Sequence, residues 1–235
     1  MNKLTPEQLK TRLQMDYQTV SKMRCPLMSI TAYRNAADLD KRRNPIVTED
    51  EGHLATHYLV TYFIKTLVAK NEYSEKTSVK FDLQANGNYP FTYPGCWVTS
   101  SRIPWTPHFQ EGRPICIDHD RWEDMGGNML LGELIVHVAK LINFDEIPRS
   151  ATYGGLNPAA FTYWREQLDF KPLTANLPYP ALPPGSEPAF APARIRRSEM
   201  FQAAANRHPE LFTPRSNAQP VLVIEDAMFT PRSER

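Results

Sequence analysis

Between Tyr58 and Gln84 apolar residues recur at every second position, and that period dictates most of what this chain can become. Tyr58, Val60, Tyr62 and Ile64 share one face, with Thr61 and Lys65 on the other. Val79, Phe81 and Leu83 alternate with Lys80, Asp82 and Gln84. Successive side chains of a strand point to opposite faces, so each run reads as a strand with one buried and one wet face, as in an antiparallel sheet. The spacing predicts a central strand over 58–68, a polar turn over 70–76 and a hairpin partner over 78–84.

The flanking segments supply the rest of an α+β fold. Thr5-Pro6-Glu7-Gln8 combines a hydroxyl N-cap, a proline at the first helical position and a glutamine that closes a capping box. A helix starts there, with Leu9, Leu13, Tyr17 and Val20 as its apolar stripe and Lys10, Arg12 and Lys22 on its solvated surface. Pro26 ends it. Leu27–Tyr33 alternates as a first strand, and Asp38–Pro45 reads as a charged loop. After a turn at Asn86-Gly87-Asn88, Tyr89–Pro94 is expected to be extended and Cys96–Thr99 to be a short fourth strand. Ser100–Asp124 has no sustained period and reads as a long structured loop rich in aromatic residues. Helices are predicted over Asn128–Ile142, with Glu133, His137 and Lys140 as a polar stripe, and from the Asn157-Pro158 cap to Leu168, with Phe161, Trp164 and Leu168 on one side.

Composition changes at Lys171. Eleven of the 21 prolines lie beyond it, so residues 1–170 read as the globular domain and 171–235 as a proline-rich C-terminal extension. Within the extension, Arg197–Asn206 has a helical pattern and Pro220–Ile224 a strand-like one. Arg194-Ile195-Arg196-Arg197 is a short basic cluster of the kind that usually serves solvation.

Across 235 residues, 27 Lys+Arg nearly balance 26 Asp+Glu, which excludes a global field that would draw the protein to nucleic acid or an anionic membrane. No apolar run approaches the roughly 20 residues that span a bilayer, and Met1–Pro6 lacks a signal-peptide core, so a cytoplasmic location is expected. Cys25, Cys96 and Cys116 form no pair spacing, and His53 and His57 enter a strand, where four residues of separation does not gather them over a metal. Free thiols are expected, with no metal and no cofactor.

The candidate chemistry lies in the long loop, at Gly112-Arg113-Pro114-Ile115-Cys116-Ile117-Asp118-His119. A cysteine between two isoleucines is either an inert core thiol or a nucleophile held at the edge of a core. Cys25 and Cys96, in or beside strands, read as core residues.

Element order and local motifs together resemble the ubiquitin-conjugating enzymes. Tyr89-Pro90-Phe91-Thr92-Tyr93-Pro94 is similar to that family's Tyr-Pro-Phe-x-Pro-Pro stretch, with Tyr93 in place of the first proline of the pair. Pro107-His108 and then Gly112-x-x-Ile115-Cys116-Ile117 resemble a shortened His-Pro-Asn followed by Gly-x-Ile-Cys-Leu. Trp122 resembles the tryptophan that follows the catalytic cysteine in many members, and Asn157-Pro158-Ala159-Ala160 the start of a C-terminal helix. No asparagine follows His108 in the motif position, which points to the divergent branch, including bacterial members encoded with their own activating enzyme, that lacks His-Pro-Asn.

The resemblance covers residues 5–170. It implies an N-terminal helix, a four-stranded antiparallel meander, a cysteine loop and two C-terminal helices. It also implies an acyltransferase in which Cys116 receives a ubiquitin-like protein as a thioester from an activating enzyme and passes it to a target lysine. Sulfur-to-sulfur transfer is nearly balanced in free energy, so the cysteine needs access and some thiolate; an ordinary thiol titrates at about 8.5. Lysine attack builds charge on the carbonyl oxygen, where a positioned donor is worth roughly 10²- to 10³-fold in rate. His108 and His119 are the candidate donors, His108 also having a loop-bonding alternative and His119 a surface one. Asp118 or Asp120 is placed to orient the amine or take its proton. Two other classes stay open: a catalytically inactive interaction module of the same fold, and a Cys/His thiol hydrolase pairing Cys116 with His108 or His137.

Overall fold

The structure, a computed structural model, describes residues 4–117, 129–146 and 155–181. It is α+β. Helix α1 (Pro6–Lys22) leads to β1 (Met28–Tyr33), a short α2 (Ala36–Lys41), a 3-10 turn at Gly52–Leu54, and β2 (His57–Tyr62). Then come β3 (Thr66–Ala69), β4 (Glu72–Ser74), β5 (Thr77–Asp82), β6 (Gly95–Val98), α3 (Leu131–Ile142) and α4 (Pro158–Gln167). The main sheet has four antiparallel strands in the order β1-β2-β5-β6, with β2 interior. Val60 pairs with both Ile30 and Val79, and Phe81 pairs with Cys96, so these side chains share the inner face.

The capping box of α1 forms as its residues predict: Gln8 N donates to Thr5 Oγ1 at 3.2 Å and Thr5 N to Gln8 Oε1 at 2.8 Å. Three expectations change. The strand read over 58–68 is two strands in two sheets, because the chain leaves the main sheet after Tyr62 and β3 pairs with β4 inside what reads as a polar turn. The charged loop after β1 holds α2, whose N-cap Asn35 accepts from Asp38 N at 2.9 Å. Tyr89–Phe91 is a turn about a cis Tyr89-Pro90 bond, in which Phe91 N and Thr92 N both donate to Asn88 O.

Eleven of the 12 residues of helix α3 are buried. Its apolar residues pack on the inner sheet face, and the hydroxyls of Tyr62 in β2 and Thr66 in β3 donate to the carbonyls of Ile135 and Ile142 at 3.0 and 2.8 Å. Gly132 lets α1 approach: a Cβ there would lie 2.8 Å from Thr19 Cγ2 and 2.9 Å from Met23 Sδ. The helix is well buried, as its broad apolar face predicts, and of its polar stripe Glu133 and His137 are buried and Lys140 is half-buried. Glu133 turns back to accept from Leu130 N at 2.7 Å, and His137 is 4% exposed.

Arg12, expected on the solvated face of α1, is instead part of a buried knot. Asp16, fully buried, accepts from Arg12 Nε (2.8 Å), Tyr89 Oη (2.6 Å) and Leu131 N (2.9 Å), while Arg12 also donates to Met129 O. One carboxylate thus joins α1, the Tyr89-Pro90 turn and the start of α3. Burial pushes the Asp16 carboxyl up, and Arg12 is the largest opposing influence.

A second, aromatic cluster sits under α4. Trp164 packs edge-on to Phe144 at 5.4 Å and to Phe170 at 5.5 Å, with Leu67 and Phe161 beside them. The boundary expected at residue 170 does not end the packed chain. Leu173 N donates to Asn143 O, Thr174 N to Asn143 Oδ1, and Tyr179 Oη to Asp145 Oδ2, strapping residues 171–179 across the end of α3. The patterns read at 197–206 and 220–224 lie outside the described residues. Among the described residues no helix is long and apolar enough to cross a membrane.

Candidate active site

The cysteine sits on the returning arm of a loop that folds back on itself. Cys116 N donates to His108 O at 3.0 Å, and the His108 ring, through Nδ1, meets Cys116 O at 3.0 Å. Both main-chain polar groups of Cys116 are therefore held by one residue. Between the arms, Gly112 takes φ +70° and Arg113 N donates to Gln110 O, closing the turn. Ile115 N donates to Cys96 O at 2.8 Å, which ties the loop to β6.

Ile115 and Ile117 are 2% and 1% exposed. They anchor in the core on either side of Cys116, and alternation along an extended segment turns the residue between them the other way. Cys116 is half-buried, whereas Cys96 is the core thiol, 1% exposed and pushed well above the ordinary thiol range by burial. Cys25 is half-buried at the core edge, its Sγ donating to Pro178 O at 3.3 Å.

His108 is buried, and desolvation, with the nearby His137, lowers its proton affinity to about 4. It is neutral at physiological pH. A carbonyl only accepts, so the single ring N–H is assigned to Nδ1 and is used on Cys116 O. The Glu146 main chain and carboxylate lie near enough to the ring to oppose that shift. Of the two roles open to His108 in the sequence, this geometry is the loop-bonding one.

Behind His108 lies a charged group that sequence reasoning missed. His137 Nδ1 is 2.7 Å from Glu146 Oε2, and Lys140 Nζ is 3.6 Å from Glu146 Oε1. The available signal was the acidic pair Asp145-Glu146 directly after the C-terminus of α3, where the helix dipole disfavours anions unless cations answer them. The same loop is fixed from a third side. Pro107 O accepts from Leu156 N at 2.7 Å and Asn157 N at 3.2 Å, and Asn157 Oδ1 caps α4 through Ala160 N. Gly155 makes this approach possible, since its φ is +67° and a Cβ would stand 2.4 Å from Pro107 O.

Beside the loop an open cleft of about 400 Å³ lies between Trp105, Phe109 and Glu111 on one side and Val68 and Glu72 on the other. On its rim Arg102 lies 3.3 Å from Glu72. His53 bonds the Asp50 carbonyl and His57 faces Asp82 at 3.4 Å, so the two histidines stay apart in function. Asp118, His119, Asp120 and Trp122 lie outside the described residues. Comparison with known proteins found no family model that matches this chain and no curated protein that matches it.

Proposed function

We propose that the chain is a conjugating enzyme of the ubiquitin-conjugating type. What carries the reading is the placement of Cys116. It is a half-buried cysteine between two core isoleucines, on a loop clamped at its N–H and C=O by His108, following an antiparallel sheet and preceding helix α3. The order of the motifs at Tyr89–Pro94, His108 and Ile115-Cys116-Ile117 agrees with it.

In the first step the Cys116 thiolate attacks the thioester carbon of a ubiquitin-like protein carried on the activating enzyme. The new C–S bond forms as the old one breaks, and the activating enzyme's cysteine leaves as a thiolate. In the second step a target lysine, as free amine, attacks the same carbon. An amide forms, Cys116 departs and recovers a proton, and the nitrogen loses one to solvent or a neighbouring carboxylate. Because the N–H of His108 is already engaged, its part is to present Cys116, and the donor for the developing oxyanion comes from elsewhere. The same engagement argues against His108 as the base of a Cys/His hydrolase.

Incubation of the protein with an activating enzyme, ATP and a ubiquitin-like protein, followed by non-reducing electrophoresis, tests the reading. A thiol-sensitive adduct that disappears in Cys116→Ala supports it. Binding of the modifier with no adduct would move the function to a non-catalytic interaction module.

A further inference from the structure

We propose that the groove at the C-terminal end of α3 is a peptide-recognition site, filled here by the chain's own residues 171–179 and open to the same segment of a second copy. The strap is held as an extended peptide is held. Asn143, fully buried, spends both ends of its side-chain amide on one residue: Oδ1 accepts from Thr174 N and Nδ2 donates to Thr174 O, each at 2.9 Å. Its main-chain carbonyl accepts from Leu173 N at 2.9 Å. Trp164 Nε1 donates to Lys171 O at 2.9 Å, and Cys25 Sγ to Pro178 O at 3.3 Å. Each of these bonds reads the main chain of the strap. Main-chain bonds of this kind supply affinity, and pockets for side chains supply sequence preference.

The side-chain anchors are equally defined. Leu173 packs on the aromatic cluster under α4, while Leu177 and Tyr179 pack on the main core. Tyr179 Oη donates to Asp145 Oδ2 at 2.7 Å and accepts from Asn143 Nδ2 at 3.2 Å. Between the anchors Ala175, Asn176 and Pro178 are exposed, and no residue of the strap is fully buried. The segment therefore lies on the surface as a ligand does. The occupant that fits is an extended stretch reading Leu-x-x-x-Leu-x-Tyr, which this chain carries once at 173–179.

The link from α4 favours exchange. Asp169 and Phe170 take φ +49° and +56°, two consecutive non-glycine residues in the left-handed region. A short strained hinge is the setting in which an element passes to a second copy, because opening it releases strain while the receiving contacts are made again unchanged.

A tethered strap competes with any free one at an effective concentration on the order of millimolar, so the test weakens the tethered strap first. Thr174→Pro in the full chain removes the N–H that Asn143 Oδ1 accepts. A fluorescein-labelled peptide of residues 171–181, standing for the strap of a second copy, is titrated against this variant and the wild type by anisotropy. The variant should bind it saturably and about 100-fold more tightly than the wild type does. A Tyr179→Phe peptide, which loses a bond to a charged acceptor, should bind about 10-fold more weakly. A folded Thr174→Pro chain that binds the peptide no better than a scrambled one overturns the proposal. Should that variant not fold, hydrogen exchange of the wild type decides. The Leu173 and Thr174 amides should exchange at least about 10-fold faster than those in the middle of α3, through local release of the strap. Exchange at the α3 rate makes the strap inseparable from the fold and overturns the proposal.

Discussion

Asp16→Ala is the substitution that tests most about how this fold is held. The carboxylate is fully buried, accepts from three donors and is the main charge partner of Arg12, whose side chain is 10% exposed. Removing it leaves the guanidinium uncompensated and strands the Tyr89 hydroxyl and the Leu131 N–H. Breaking a buried pair from one side typically costs about 3–5 kcal/mol. Arg12 keeps its bond to Met129 O, which places the expectation near the lower end, about 3 kcal/mol. At this chain length that is a fall in Tm of roughly 6–12 °C. Tyr89→Phe removes the bond donated to Asp16 and the longer one accepted from Arg12 at 3.3 Å, and should cost about 1.5–3 kcal/mol. The double replacement Arg12→Met with Asp16→Leu removes both charges and should be less damaging than Asp16→Ala alone, since apolar isosteres of a buried pair are often neutral. Urea unfolding followed by tryptophan fluorescence measures all three. A cost below about 1 kcal/mol for Asp16→Ala, or a double variant as unstable as the single, refutes the argument.

Two further perturbations follow from the cysteine loop. Gly155→Ala should cost about 2–4 kcal/mol in the same assay, combining roughly 1–2 kcal/mol for a left-handed alanine with weakening of the two bonds that Pro107 O accepts; a cost within 0.5 kcal/mol, on the order of an ordinary surface change, contradicts the close approach. His108 has a folded-state value of about 4, below its ordinary 6.5, so the unfolded chain takes up the proton first. Its contribution is fully present above about pH 6.5 and is lost as pH falls toward 4, a loss of about 3 kcal/mol across that window. His108→Asn keeps an N–H for Cys116 O without the titration, and unfolding measured between pH 7 and 4 should be visibly flatter in that variant than in the wild type.

The sheet was legible because period two is a local property: the inner faces of β2 and β5 follow residue by residue from Tyr58, Val60, Val79 and Phe81. The point where the chain changes sheets was not, because alternation continues unbroken through Ile64 while the pairing partner changes, and only β4, hidden in a polar segment, reveals it. Helix α2 had a readable signal in Asn35 with Asp38 three residues on. Arg12 and Asp16 also stood at helical i,i+4 spacing, but nothing local said that Tyr89 and Leu131 would close over them. The partner of His137 was not legible for the same reason, since Glu146 lies beyond the helix end. Proline content disguised the strap over 171–179, whose anchors Leu173, Leu177 and Tyr179 were present in the sequence. At the cysteine, the sequence left a core thiol and a nucleophile both open, and the two isoleucines decide between burial and exposure only once their shared direction is seen.

Cys116→Ser tests most directly whether Cys116 is the acyl carrier. With an activating enzyme, ATP and a ubiquitin-like protein, the wild type should give an adduct cleaved by thiol reductant. The serine variant should give a slower-forming oxyester that survives reductant and is cleaved by alkali. An adduct that stays thiol-sensitive in Cys116→Ser, and so sits on another cysteine, contradicts the central claim.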